Sequence, residues 1–317
     1  MREVLATSRS FGRGAVDLVS EAAALGLNIT AVPSHHSLAE LAPHLATAEA
    51  WIVGTGPVTA EHMNEAPHLK VIARYGVGVD AVDLEAARDR GIVVTNTPGA
   101  NSGAVADLTL ALMLNSLRHV THGDRQVRDL QWHALAGREL SGLTVGIIGF
   151  GRIGQGVAQR VKGFGAHMLG VDPFVPAEVF DRSGVEPSTL ELVFEKCDVV
   201  TLHSPGGQVL GTKNRLSMMK PGSVLINTAR ADLVDENALA AALRARSVGA
   251  YATDVLDGDP AAADSPLLAK DLMPYVTVTP HLGAQTVEAV DKMGQMALAN
   301  VAAVLRGDSP LNPVTSY

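Results

Sequence analysis

One cysteine, Cys197, occurs in 317 residues. A single thiol excludes an intrachain disulfide and fits a reducing compartment, so a cytoplasmic setting is expected. The residue reads as a small buried side chain, not a reactive thiol. No apolar run is long enough to cross a bilayer. The most apolar stretch, AVADLTLALML at 104–114, is short and interrupted by Asp107. The N-terminus, MREVLATSRS, lacks the apolar core of an export signal. Lys and Arg form no long runs, and 25 of them face 33 Asp and Glu, for a formal net charge of −8. That surface does not invite nucleic acid or an anionic membrane. Short-period repeats and low-complexity segments are absent, and no metal ligands are assigned.

What is present is the composition of a compact, loop-rich chain: 47% hydrophobic residues and 31 glycines, with length for two domains. Short β-rich runs alternate with helical stretches. REVLATS (2–8), LNITAV (27–32), AWIVG (50–54), KVIAR (70–74) and IVVTN (92–96) read as strands. A helix is expected over 14–26, with Gly26 as its cap, and Ala-, Leu- and Glu-rich segments fill the other gaps. The alternation predicts an α/β fold with parallel sheet. A long helix follows over 101–120, with Asn101 or Ser102 as its cap. Its apolar residues surround it, so it is buried inside one domain or at a subunit interface. A second α/β series runs from LTVGIIG (143–149) through HMLGVD, DVVTLH, SVLINT and VGAYATDV to YVTVTP (275–280). A final helix spans 286–306 and ends at Gly307.

Residues 145–156 read VGIIGFGRIGQG. Gly149, Gly151 and Gly154 form G-x-G-x-x-G between an apolar strand and a helix, and the next strand ends at Asp172. This is the full context of a dinucleotide site. Gly149 permits the tight turn, Gly151 lets a pyrophosphate approach the backbone, and Gly154 lets helix and strand pack. The helix N-terminus offers unpaired N–H groups to phosphates. Asp172 can accept from ribose hydroxyls and would repel a 2′-phosphate, so NAD is expected over NADP. Three further polar groups stand at later strand ends: Arg230 in INTARADLVDE, Asp254 in YATDV and His281 in TPHLGAQT. Ligands of such sheets collect there.

These segments, with RYGVGVDAVDLEAARDRGIVVTNTPGANSGAVADLTLALML (74–114), resemble the D-2-hydroxyacid dehydrogenase family, close to its 3-phosphoglycerate dehydrogenase branch. The resemblance runs nearly end to end. It implies two doubly wound parallel-sheet domains: a Rossmann cofactor domain, 99–284, inserted into a flavodoxin-like substrate domain, 1–98 plus 285–317. It implies a cleft that closes around a small 2-hydroxy or 2-keto acid, NAD as cofactor, and a homodimer formed through the cofactor domains. By the same resemblance Arg230 would bind the substrate carboxylate and its neighbouring oxygen, and His281 would be the acid–base. Backbone N–H groups around Val77 and Gly78 would hold the carboxylate, with Arg74 and Asn101 assisting. Arg152 and Ile153 would line the pyrophosphate. Ser204, Pro205, Thr228, Asp254, His281 and Gly283 would touch the cofactor, Asp254 on its nicotinamide side.

Two departures from the family pattern stand out. The glutamate that normally pairs with the histidine is matched by Asp259, in DVLDGDP, one methylene shorter. It is the expected partner of His281, directly or through water, while Asp257 reads as solvated. Ala231 replaces a glycine after NTAR. Basic positions tied to the phosphoglycerate phosphate are also missing: Gly54 stands where an arginine is expected, and none follows Trp132 closely. Glyoxylate and hydroxypyruvate are therefore candidate substrates beside phosphohydroxypyruvate. The chain stops soon after its last helix, so no C-terminal regulatory domain is expected. An NAD-sensing regulator on the same fold is the rival reading, and formate oxidation a lesser one.

Overall fold

Among the described residues, every strand pairing within the two sheets is parallel. The computed structural model describes residues 1–259 and 264–314. The chain divides into two compact units, one of Met1–Asn101 with Ala284–Tyr317 and one of Ser102–Gly283.

The first unit carries β1 (Arg2–Ala6), β2 (Leu27–Ala31), β3 (Ala50–Val53), β4 (Val71–Arg74) and β5 (Val93–Thr95), in the order β2-β1-β3-β4-β5. β3 and most of β4 are buried on both faces, as the near-continuous apolar runs AWIV and VIA require of a parallel sheet. Trp51, Ile72, Val94, Leu41 and Leu45 share one core. The Trp51 indole N–H is satisfied by Thr7 Oγ1 at 3.0 Å. Helices α1 (Leu18–Ala24), α2 (Leu38–Leu45), α3 (Ala60–Asn64) and α4 (Leu84–Asp89) follow successive strands. α1 starts four residues later than the pattern predicts. Asp17 caps it through Ser20 N–H at 3.0 Å, while Ala15 and Val16 donate their N–H groups to Asp291 and stay outside the helix. Gly26, at φ +76°, follows its last turn as expected.

The second unit begins with the long apolar helix α5 (Ser102–Arg118). It stops where His119 turns left-handed at φ +56°, and α6 (Val120–Arg128) follows. Val105, Ala106, Leu112, Met113 and Leu117 are buried within the unit. Leu108, Leu110 and Leu114 are only half-buried. One face of α5 is thus used inside the unit, and apolar surface remains on another.

The sheet contains β6 (Thr144–Ile148), β7 (His167–Val171), β8 (Glu186–Pro187), β9 (Val199–Leu202), β10 (Val224–Asn227), β11 (Ala250–Thr253) and β12 (Val276–Val278). Its order is β12-β11-β10-β9-β6-β7-β8, which reverses between β6 and β9. That is the doubly wound nucleotide-binding arrangement with one extra edge strand. Side chains alternate across it. Val199, Val224, Ile226 and Ala252 face one core with α5 and α7 (Arg152–Lys162). Val200, Leu225 and Tyr251 face another, with α9 (Leu190–Lys196) and α11 (Glu236–Arg244). α8 (Ala177–Ser183) and α10 (Lys213–Met218) complete the layers. The chain returns to the first unit with α12 (Val287–Arg306), capped by Thr286 through Ala289 N–H and closed by Gly307 at φ +87°. No described helix is long and apolar enough to cross a membrane.

Candidate active site

The glycine fingerprint has the geometry its spacing predicts. Gly149 turns at φ +88°, and a Cβ there would lie 2.5 Å from the His203 carbonyl carbon. A Cβ on Gly154 would lie 2.2 Å from Gly149 O, so only glycine lets α7 pack this closely on the turn. Gly151, the N-cap of α7, has nothing within 4 Å of that position. The backbone is therefore open where a pyrophosphate must approach, with Arg152 and Ile153 in the first turn. Asp172 follows β7. Its carboxylate accepts Phe150 N–H at 2.8 Å and Phe174 N–H at 2.9 Å, which fixes an acceptor beside the glycine loop. These residues fit a dinucleotide.

The other cofactor candidates stand at the carboxyl ends of neighbouring strands. Ser204 and Pro205 follow β9, Thr228 follows β10, and Asp254 follows β11. The Thr228 hydroxyl meets Thr109 of α5 at 2.8 Å. Asp254 is 2% exposed and takes three hydrogen bonds from the segment after β12: Thr279 Oγ1 at 2.5 Å, Leu282 N–H at 2.7 Å and Gly283 N–H at 2.7 Å. It is the clamp of the loop that carries His281. His281 itself is held left-handed, at φ +55°.

The shorter carboxylate reaches its partner directly. His281 Nδ1 lies 2.7 Å from Asp259 Oδ2, with no bridging group needed. Gly258, at φ +77°, and a backbone bond from Asp259 N–H to Leu256 O at 3.1 Å fold the loop inward. This bend offsets the missing methylene. Arg230 follows β10 in extended conformation, and its guanidinium donates to Ala229 O at 2.8 Å.

Several supporting residues escaped the sequence reading. Asn227 donates to Arg230 O at 2.8 Å and accepts Ala229 N–H at 3.0 Å, shaping the arginine turn. An Asn at a strand end two residues before the turn is the available signal. Asp232 accepts Gly207 N–H at 2.5 Å and so braces the segment after Pro205. Thr279 and the neutral, buried ring of His203 likewise carry no local signature. Burial holds the His203 imidazole down to about 3.

In the first unit, Arg74 turns back on its own loop, donating to Gly78 O at 2.8 Å and to Tyr75 O. Asn96 donates to Val77 O at 2.9 Å. With these carbonyls held, the N–H groups of Val77 and Gly78 have no partner among the described residues. Asn101 keeps a buried Oδ1 that is also without a partner among them. Among the described residues, no group of three or more His, Cys, Asp or Glu is placed to hold a metal ion.

Comparison with known proteins decides the family. A family model described as D-isomer specific 2-hydroxyacid dehydrogenase, NAD binding domain, matches residues 110–283. The chain belongs to the D-isomer specific 2-hydroxyacid dehydrogenase family. Its second unit is therefore an NAD-binding domain. A D-3-phosphoglycerate dehydrogenase of Methanocaldococcus jannaschii is 38% identical over 283 residues, 87% of this chain and 53% of that protein. A glyoxylate reductase of Thermococcus litoralis is 37% identical over 273 residues, covering 82% of this chain and 81% of the reductase. The chain spans about half the length of the curated phosphoglycerate dehydrogenases it matches. Among solved structures, a protein of Thermus thermophilus superposes with a TM-score of 0.86 at 37% identity, over 99% of this chain and 100% of that one.

Proposed function

We propose that this protein is an NAD-dependent dehydrogenase interconverting small D-2-hydroxy acids and 2-keto acids of the phosphoglycerate, hydroxypyruvate or glyoxylate type. The observation that carries the reading is the His281–Asp259 contact at 2.7 Å, in the same unit as the dinucleotide cradle. Bound nicotinamide supplies or accepts the hydride, and this chain's side chains manage proton and charge. With Nδ1 engaged by Asp259, Nε2 is the imidazole nitrogen left to exchange a proton. It takes the hydroxyl proton in oxidation and returns it in reduction. Asp259 fixes the tautomer and offsets the imidazolium charge. Arg230 binds the substrate carboxylate and the adjacent oxygen, a bidentate task that suits a planar guanidinium. The Val77 and Gly78 N–H groups, shaped by Arg74, and Asn101 contribute to substrate binding from the first unit.

Arg152, Ile153, Ser204, Pro205, Thr228, Asp254 and Gly283 contact the cofactor in this reading. Asp172 selects NAD over NADP by repelling a 2′-phosphate. A homodimer is supported by the half-buried leucines of α5 and by the exposed stretch 129–139, where Leu130 and Trp132 are 86% and 81% exposed. The lone, buried cysteine supports a cytoplasmic setting, and the net charge of −8 speaks against nucleic-acid binding.

The test is NADH consumption across a panel of 2-keto acids, with NADPH in parallel. Turnover of one acid, lost in His281→Ala and Arg230→Ala, is the expected result. Tight NADH binding without turnover of any acid would reject the enzyme in favour of a sensor.

A further inference from the structure

The first unit has a ligand-binding geometry of its own. Its strand order reverses between β1 and β3. In open parallel sheets, ligands collect at the carboxyl ends of the strands flanking such a reversal. Two loops meet there, residues 7–16 after β1 and 54–57 after β3. They run close together: a Cβ on Gly54 would lie 3.3 Å from both Ser8 Cα and Thr7 O. A long side chain at position 54 would be crowded at its root. The β3 loop therefore contributes no cation to this crevice.

The β1 loop carries a cation, Arg9. Its backbone is fixed by tight turns, Phe11 N–H to Ser8 O at 3.3 Å and Arg13 N–H to Ser10 O at 3.1 Å. The Phe11 ring meets Tyr75 edge-on at 5.9 Å. Asp291 of α12 ties the far end through Ala15 and Val16 N–H at 3.0 and 3.1 Å. Ser10 is turned inward at 7% exposure, while Arg9 beside it is exposed. No ion pair to Arg9 occurs among the described residues. The N–H groups of Arg9, Thr55 and Gly56 are likewise without protein partners among them. A guanidinium and N–H groups without protein partners on two close-set loops suit an anion.

We propose that this crevice binds a second anionic group of the substrate, a phosphate or a second carboxylate, with Arg9 as its cation. The inference rests on the dehydrogenase reading above and narrows it to acids with a charged tail. The arginine expected at position 54 is thus replaced from the opposite loop.

The test compares wild type, Arg9→Gln and Arg13→Gln on phosphohydroxypyruvate, 2-oxoglutarate and hydroxypyruvate, which has an uncharged tail. Wild type is expected to prefer one of the doubly charged acids, and which one identifies the tail. Arg9→Gln is expected to raise the KM for that acid about tenfold or more, the worth of a charge-assisted hydrogen bond. The KM for hydroxypyruvate, which has no charged tail for Arg9 to hold, should rise far less. Arg13→Gln, with the same charge change on the same loop, should match wild type. Wild-type preference for hydroxypyruvate, equal KM rises on all acids, no rise on any acid, or equal losses in the two variants would each overturn the assignment. If no acid is turned over, the dehydrogenase reading fails by itself. Calorimetry with 3-phosphoglycerate then judges the crevice. Binding to wild type that is lost in Arg9→Gln upholds it, and absent or equal binding removes it.

Discussion

Asp259 and His281, twenty-two positions apart, meet at 2.7 Å through Oδ2 and Nδ1. The contact places a carboxylate behind the ring nitrogen that faces away from the exchangeable proton. Asp259→Asn keeps the shape but removes the counter-charge for imidazolium. Reduction, which needs the protonated ring, should fall by about ten- to a hundredfold, within the span of a general acid's contribution. Steady-state kcat/KM for 2-keto acid reduction checks this, and an unchanged value would show that Asp259 has no part in proton transfer.

Asp254 reaches the same loop from beneath. It is buried and accepts from Thr279, Leu282 and Gly283. An asparagine there has one acceptor oxygen for three donors and turns an amide N–H₂ toward backbone N–H. Asp254→Asn should lower stability by about 2–4 kcal/mol, the cost of unpaired donors in a buried site. It should lower activity as well. Thermal melting of the second unit reads the first effect and steady-state rates the second. A variant with wild-type Tm would mean that the clamp does not hold the loop.

Asp172 presents its charge beside the glycine turn while both oxygens are anchored by N–H groups. Removing that charge in Asp172→Ser should weaken NADH binding and improve NADPH binding, moving the ratio by about tenfold or more, as expected when a repulsive element is deleted. Titration of cofactor fluorescence with each nucleotide measures it. An unchanged ratio would place the discrimination elsewhere.

His203 gives an acid-sensitivity prediction. Its Nε2 lies 2.9 Å from Thr201 Oγ1, and its Nδ1 is buried without a partner among the described residues. Burial lowers its folded value from 6.5 to about 3. Between those values the unfolded chain binds a proton that the folded chain does not, so stability falls as pH drops through that window. Urea midpoints at neutral and mildly acidic pH should therefore draw together in His203→Asn. Equal acid losses in variant and wild type would clear this ring of the effect.

Much of this site was legible in one dimension because its demands are local. Gly149, Gly151 and Gly154 answer to a single turn, and Asp172 to the end of the next strand. Arg230, Asp254 and His281 were visible as polar residues where apolar strands end. The remainder depends on loop paths. Whether Asp259 reached His281 hung on the fold of residues 256–259. Asn227 and Asp232 shape the site through contacts that no pattern announces. Arg74 was expected to assist substrate, and its hydrogen bonds to Tyr75 O and Gly78 O, which brace its own loop, carry no sequence signature. The long apolar helix ended at Arg118 because His119 adopts a left-handed turn, which propensity alone does not foretell.

That same backbone region is where His281 sits, at φ +55°. A histidine pays roughly 1–2 kcal/mol there that glycine, and in part asparagine, would avoid. The fold is therefore less stable at its proposed acid–base residue than the chain could make it. His281→Asn should raise Tm while abolishing turnover. Any programme that improves this protein by melting temperature alone would be drawn toward a substitution that silences it, so selection for heat resistance and selection for rate pull in opposite directions at this position.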